Sequence, residues 1–127
     1  MEIVRNAYDA WNRGDRDAWV DAFDEEGEFY PLRAVLERGG YKGHEAIRRF
    51  LTEMDEDWDF VRFHVDEIRD SGEQVLGLGE MHASARGSGV DLRFPVGAVV
   101  RVRRGKIIYF RTYTDRDEAL EAAGLSE

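Results

Sequence analysis

The chain contains no cysteine. That excludes a disulfide framework and thiolate chemistry. Basic residues are outnumbered, with 18 Lys and Arg against 27 Asp and Glu, for a net charge of −9. A surface of that sign does not suit nucleic acid, whose phosphates demand a basic face. It also disfavours anionic membrane surfaces. No apolar run is long enough to span a bilayer, and no signal peptide precedes the first helix, which starts at Met1. The expected location is the cytoplasm. The three histidines are scattered over separate segments, without the close spacing of a zinc site, so no metal is expected. No glycine loop precedes a helix in the way that cradles a phosphate, and no serine sits in a nucleophile elbow. No cofactor is implied.

What is present points to one folded domain spanning residues 1–127. Hydrophobic residues make up 43% and aromatics 12% of the chain, too much for disorder. A domain of this size buries roughly two-thirds of its unfolded surface.

The segment 94–124 organises the rest. Leu92, Phe94, Val96, Ala98, Val100 and Val102 alternate, giving one wholly apolar strand face. The other face carries Arg93, Arg101 and Arg103. A tight Arg104-Gly105 turn leads to a second strand, 106–114, rich in Ile, Tyr, Phe and Thr. Asp115 then caps a last helix, with Glu118 at capping-box spacing and Gly124 as its stop.

Upstream, Val4, Ala7, Tyr8 and Trp11 form one stripe of a helix over 2–12. Gly14 ends it and Asp15 caps a second short helix, 16–23. Residues 24–27 read as a turn, 28–32 as a short strand ending at Pro31, and 33–43 as a mobile loop. Ile47, Phe50, Leu51, Met54 and Trp58 mark a third helix over 44–57. Two strands follow, 58–69 and 74–86, the first alternating Val61, Phe63 and Val65 against Arg62, His64 and Asp66. The predicted order, α-α-β-α-β-β-β-β-α, is an α+β domain. A long antiparallel sheet curled around three N-terminal helices leaves a cone. The expected lining is Tyr8, Trp11, Trp19, Phe50, Met54 and Trp58, with Met81, Phe94 and Phe110 from the strands. A packed aromatic core accounts for the same residues equally well.

Several segments resemble the nuclear-transport-factor-2-like superfamily, in particular its SnoaL-like branch. They are Trp11-Asn12-Arg13-Gly14-Asp15, Tyr41-Lys42-Gly43-His44-Glu45-Ala46-Ile47, Gly105-Lys106-Ile107 and Tyr113-Thr114-Asp115-Arg116. The resemblance covers nearly the whole chain. It implies a cone-shaped α+β fold with a curved sheet and a short C-terminal helix. The fold hosts isomerases, cyclases, epoxide hydrolases, dehydratases and non-enzymes, so it does not name a reaction. Placed on this sequence, the base, tyrosine donor and second acid of ketosteroid isomerase fall on Tyr30, Ala7 and near Gly97 or Ala98. The pair used by limonene epoxide hydrolase falls near Gly79 and Met81, and its other aspartate on Thr112. None of these groups is retained, and both activities are rejected.

The remaining polar candidates are Tyr30 and Thr112, which the resemblance places inside the cone, with Glu28 as the nearby carboxylate. His64 is a candidate acid or base because histidine as a residue type can exchange protons near neutrality, although its charged neighbours favour a solvent-facing position. His44 opens the third helix and reads as structural or rim-lining, and His82 shares a face with Glu80. The expected ligand is a small apolar molecule with few polar groups. The catalytic version is cofactor-independent isomerisation, cyclisation or dehydration, with Glu28, Tyr30 and His64 as its groups. The competing version is a non-catalytic dimeric scaffold. Either way a homodimer is expected through the outer sheet face, where Tyr109, Arg111 and Tyr113 alternate with inward Ile108, Phe110 and Thr112.

Overall fold

A computed structural model describes residues 2–32, 39–70, 72 and 74–124. Helix α1 (Glu2–Asn12) buries the expected stripe of Val4, Ala7, Tyr8 and Trp11. Gly14 takes a left-handed φ of 77°, which lets the chain reverse into α2 (Arg16–Asp21). The Asp15 carboxylate accepts from the Ala18 amide at 3.1 Å and satisfies a free donor of the first turn. Strand β1 (Phe23–Tyr30) starts at once, and the two-residue β2 (Tyr41–Lys42) pairs with it. Helix α3 (His44–Asp57), strands β3 (Trp58–Asp70), β4 (Gln74–Ala85), β5 (Asp91–Arg103) and β6 (Lys106–Tyr113), and helix α4 (Arg116–Ala122) complete the chain. Among the described residues, α1, α2 and α3 precede the strand meander and α4 follows it, as the sequence predicts.

The six strands form one curved sheet in the order β2-β1-β6-β5-β4-β3. It is mixed rather than wholly antiparallel, because β1 runs parallel to β6. Three short-range readings are corrected. The turn predicted at 24–27 is absorbed into β1 as an irregularity: its register against β6 shifts between Phe23 and Glu28. Gly27 is needed there, since a Cβ would sit 2.8 Å from the Ile107 carbonyl oxygen. The loop predicted over 33–43 contains β2 at its end, and its residues 33–38 lie outside the described residues. Between β5 and β6 the register shifts at Arg101 and Val102, passing over Ile108, so Ile107, not Ile108, is the fully buried isoleucine. In β3 it shifts between Val65 and Glu67, opposite Gly79, whose missing side chain makes room for the His64 carbonyl.

One face of the sheet packs against α1, α2 and α3. Val4, Trp19, Val20, Phe23, Ile47, Val100 and Ile107 lie at its centre, and all are essentially inaccessible. The opposite face carries Arg93, Arg101 and Arg103. Its middle is covered by α4, where Leu76, Leu78 and Val99 pack against Ala119, Leu120 and Ala123. The Asp115 side chain caps α4 through the Asp117 and Glu118 amides, at 2.8 and 3.4 Å. Gly97 lets the helix close onto the sheet, since a Cβ there would lie 2.8 Å from the Ala119 Cβ.

Candidate functional site

The strands β3, β4 and β5 run past the end of the helical layer. Their inner side chains there have no helix to fill the space, and a cavity of about 500 Å³ remains. Its wall carries eight aromatic side chains: Trp11, Trp19, Phe29, Phe50, Trp58, Phe63, Phe94 and Phe110. Met54, Val61, Met81, Ala83 and Leu92 add aliphatic surface. Pro31, Leu32, Asp57 and Thr112 complete the lining. Leu92 is 38% exposed and Asp57 is exposed, so these two sit at the mouth. Thr112 is 4% exposed and belongs to the interior.

The aromatic wall is locked by edge-to-face contacts. Trp19 meets Trp11, Phe23, Phe29 and Phe110 at centroid distances of 4.8 to 5.6 Å and angles of 66 to 73°. Such pairs contribute about 0.5–1.5 kcal/mol each beyond area burial. The Trp19 indole N–H is buried among these rings and finds no acceptor among the described residues. The Trp11 indole N–H donates to the Val61 carbonyl at 2.7 Å. Asn12 holds the neighbouring residue from both sides: its amide donates to the Phe63 carbonyl at 2.8 Å and accepts from the Phe63 amide at 2.9 Å. The end of α1 thereby fixes the β3 segment that walls the cavity.

Of the side chains predicted to line the cone, Trp11, Trp19, Phe50, Met54, Trp58, Met81, Phe94, Phe110 and Thr112 face this one cavity. Tyr8 does not reach it. It packs below, against Phe63 and Phe110, and beside Gly77, where a Cβ would lie 3.3 Å from its hydroxyl. Burial pushes its phenol well above the usual tyrosine value of 10.0. Tyr30 is also outside. Phe29 points in, so alternation sends Glu28 and Tyr30 to the outer face. There the Tyr30 hydroxyl donates to Glu28 at 2.7 Å, and this hydrogen bond is the main cause of a raised tyrosine pKa.

His64 is exposed on the outer side of β3, paired with Glu80 across the ladder. The three groups suggested for acid–base work, Glu28, Tyr30 and His64, are therefore not brought together at the cavity. His44 is structural: its Nε2 lies 2.7 Å from the Phe23 carbonyl oxygen. His82 faces outward too, edge-on to Phe60 at 4.9 Å, with Asp91 3.9 Å away. Among the described residues no group of His, Cys, Asp or Glu is arranged to hold a metal ion. No helix of the described residues is long and apolar enough to cross a membrane.

Lining residues that the sequence reading missed are Phe29, Pro31, Leu32, Asp57, Val61, Phe63, Ala83 and Leu92. The signal for Val61 and Phe63 was available, since they alternate with the outward His64. Placing Tyr30 inside hid Phe29, because the two residues occupy opposite faces. Asp57 carried no sequence signal; it reads as one member of an acidic run at a helix end.

The outer face carries a second cluster. Arg111 lies over Tyr30 and Tyr113 at 5.7 and 5.5 Å, and Arg101 lies over Tyr109 at 4.8 Å. Tyr30 and Tyr109 are 5.6 Å apart. Burial and the neighbouring Tyr109 raise the Tyr113 pKa.

Comparisons with known proteins agree with this geometry. No curated protein sequence matches the chain. Among solved structures, a nuclear-transport-factor-2-like protein from Burkholderia thailandensis is 29% identical, with 98% of this chain and 94% of that one covered and a TM-score of 0.79. A protein of ketosteroid-isomerase-like fold from Catenulispora acidiphila, in complex with trimethylamine, is 21% identical with a TM-score of 0.79, covering 98% and 93%. TerC, co-crystallised with polyporic acid, is 17% identical with a TM-score of 0.79, covering 97% and 96%. The SnoaL-like domain family matches residues 4–110, most of the chain and every residue of the cavity lining except Thr112. The chain belongs to the SnoaL-like domain family.

Proposed function

We propose that this protein binds a compact, largely apolar small molecule in the cone between the sheet and helices α1 to α3. The observation that carries the reading is the cavity of about 500 Å³ walled by eight aromatic side chains. That volume lies in the range of small-molecule sites, which are mostly apolar with a few placed polar groups. Thr112 supplies an interior hydroxyl and Asp57 a carboxylate at the mouth. Neighbours in this fold have been crystallised with molecules as different as polyporic acid and trimethylamine, which supports a small-molecule role for the cone. Binding is favoured over acid–base turnover. A base working on the ligand needs to lie within hydrogen-bond reach of it, and the described wall holds no carboxylate or imidazole except the exposed Asp57.

All three tryptophans of the chain, Trp11, Trp19 and Trp58, line the cavity, so their emission reports its occupancy. A panel of compact apolar compounds bearing one or two polar groups is expected to shift or quench that emission. Binders at a hundred times their Kd are expected to add about 2.7 kcal/mol of stability. A panel that moves neither emission nor Tm would remove the reading.

A second reading concerns assembly. We infer a homodimer through the outer face around Tyr30, Tyr109, Arg111 and Tyr113. The partly buried Tyr30, Tyr109, Arg111 and Tyr113, stacked by the Arg111 and Arg101 guanidinium groups, suit an interface core. Light scattering at micromolar concentration is expected to give twice the chain mass of 14.6 kDa; a monomeric mass would exclude the dimer.

A further inference from the structure

Thr112 carries the one hydroxyl of the described cavity lining and is 4% exposed. Its neighbour across the ladder is Ala98, which offers no polar side-chain atom. The pairing of β6 with β1 ends one residue earlier, at Arg111 opposite Tyr30. No hydrogen bond within the described residues satisfies the hydroxyl. A buried hydroxyl in an apolar wall is costly until something supplies a partner. Two of the indole donors in the same wall are not open to a ligand. The Trp11 N–H is spent on the Val61 carbonyl, and the Trp19 N–H is covered by neighbouring rings.

Thr112 also marks the depth of the site. A second chamber of about 10 Å³ lies on its far side, lined by Thr112 and Tyr8 together. Room of that size takes one water at most, so the body of a ligand stops at Thr112. Charge is missing from this end. No lysine, arginine or histidine lines the cavity among the described residues, and Asp57 belongs to the exposed mouth and has an interaction of its own. An ion at the inner end finds no counter-charge and keeps its full desolvation cost.

We propose that the cone selects neutral molecules that enter with one oxygen acceptor foremost: the acceptor takes a hydrogen bond from Thr112, and the apolar body lies along the aromatic wall. This inference rests on the small-molecule reading above and names its ligand class and the residue that sets it. A site with an unpaired polar group favours the ligand that pairs it over the analogue that leaves it unpaired.

The test compares four molecules of one bicyclic body at pH 7: 1-tetralone, tetralin, 1-aminotetralin and tetralin-1-carboxylate. Each is titrated into the full chain by calorimetry, and the rise in Tm is followed in parallel. Tetralone is expected to bind at least as tightly as tetralin, although its carbonyl makes it the more water-soluble of the two. It is expected to bind about tenfold or more tightly than either charged analogue. Thr112→Val keeps the shape and removes the hydroxyl. It is expected to lower the tetralone-to-tetralin affinity ratio about fivefold to tenfold, and Thr112→Ser to restore it. Ligand-free Thr112→Val is expected to hold or raise Tm, because it removes an unpaired buried group. A lower Tm would show that the hydroxyl is already partnered inside the protein and would overturn the inference. An unchanged ratio in Thr112→Val, or a charged analogue that matches tetralone, overturns it too and leaves the binding cone standing. If none of the four binds, the small-molecule reading itself fails, and this inference with it.

Discussion

The two ends of the same strands behave differently. At the closed end, β4 and β5 bury both faces: Val75, Ala98 and Val100 turn to α1 and α2, while Leu76, Leu78 and Val99 turn to α4. At the open end, Met81, Ala83, Leu92 and Phe94 occupy the same inner face and meet empty space. The residue types hardly differ. What differs is whether a helix crosses above them. A strand end without a cover becomes a wall, and a curved sheet supplies both situations at once.

The largest expected contrast comes from truncating one apolar residue at each end. Leu76 is inaccessible beneath α4, so Leu76→Ala is expected to cost about 2–5 kcal/mol. Phe94 already borders a void, and Phe94→Ala is expected to cost about 1 kcal/mol or less in a urea titration. Equal losses would mean that the open end is packed in solution. Next in size is a filling substitution. Ala83→Phe is expected to reduce binding of any cone ligand by about tenfold or more, while stability changes by under about 1.5 kcal/mol. Unchanged binding would put the ligand elsewhere.

A smaller effect concerns Tyr8, at the floor of the cone. Its folded pKa is raised by burial above the usual 10.0. The folded state thus holds this proton after the unfolded chain has released it. Its contribution is fully present below pH 10 and declines as pH rises further. Tyr8→Phe is expected to flatten the fall in stability between pH 10 and 11. An unaltered slope would show that the floor admits water. The smallest effect is expected outside the cone. Tyr30→Phe removes the hydrogen bond to Glu28, worth about 1 kcal/mol at most at a partly exposed site, and leaves ligand affinity unchanged. A loss of affinity would bring Tyr30 back into the site.

Much of the fold was readable because its signals are local. The stripe Val4, Ala7, Tyr8, Trp11, the caps Asp15 and Asp115, and the positive φ of Gly105 all depend on neighbours in sequence. The errors came where long-range pairing shifted a register. At β6 one irregularity exchanged Ile108 for Ile107 in the core. At β1 the short acidic run 24–27 was absorbed into the strand, and the face of Tyr30 was decided by pairing with β6 and β2. Because side chains alternate with period two, one wrong face reverses every neighbour, so Tyr30 and Phe29 exchanged roles together.

The sequence by itself determined which residues form helices and strands, which are apolar enough to meet, and that the domain is acidic and carries no thiol. Those properties follow from composition and short-range periodicity. The tertiary structure alone decided that α4 covers the arginine-bearing face at Val99, that Asp57 stands at the mouth of the cavity, and that Glu28 and His64 lie outside it. Each of these depends on where strands slip against one another and where the helical layer ends, and no local pattern encodes either.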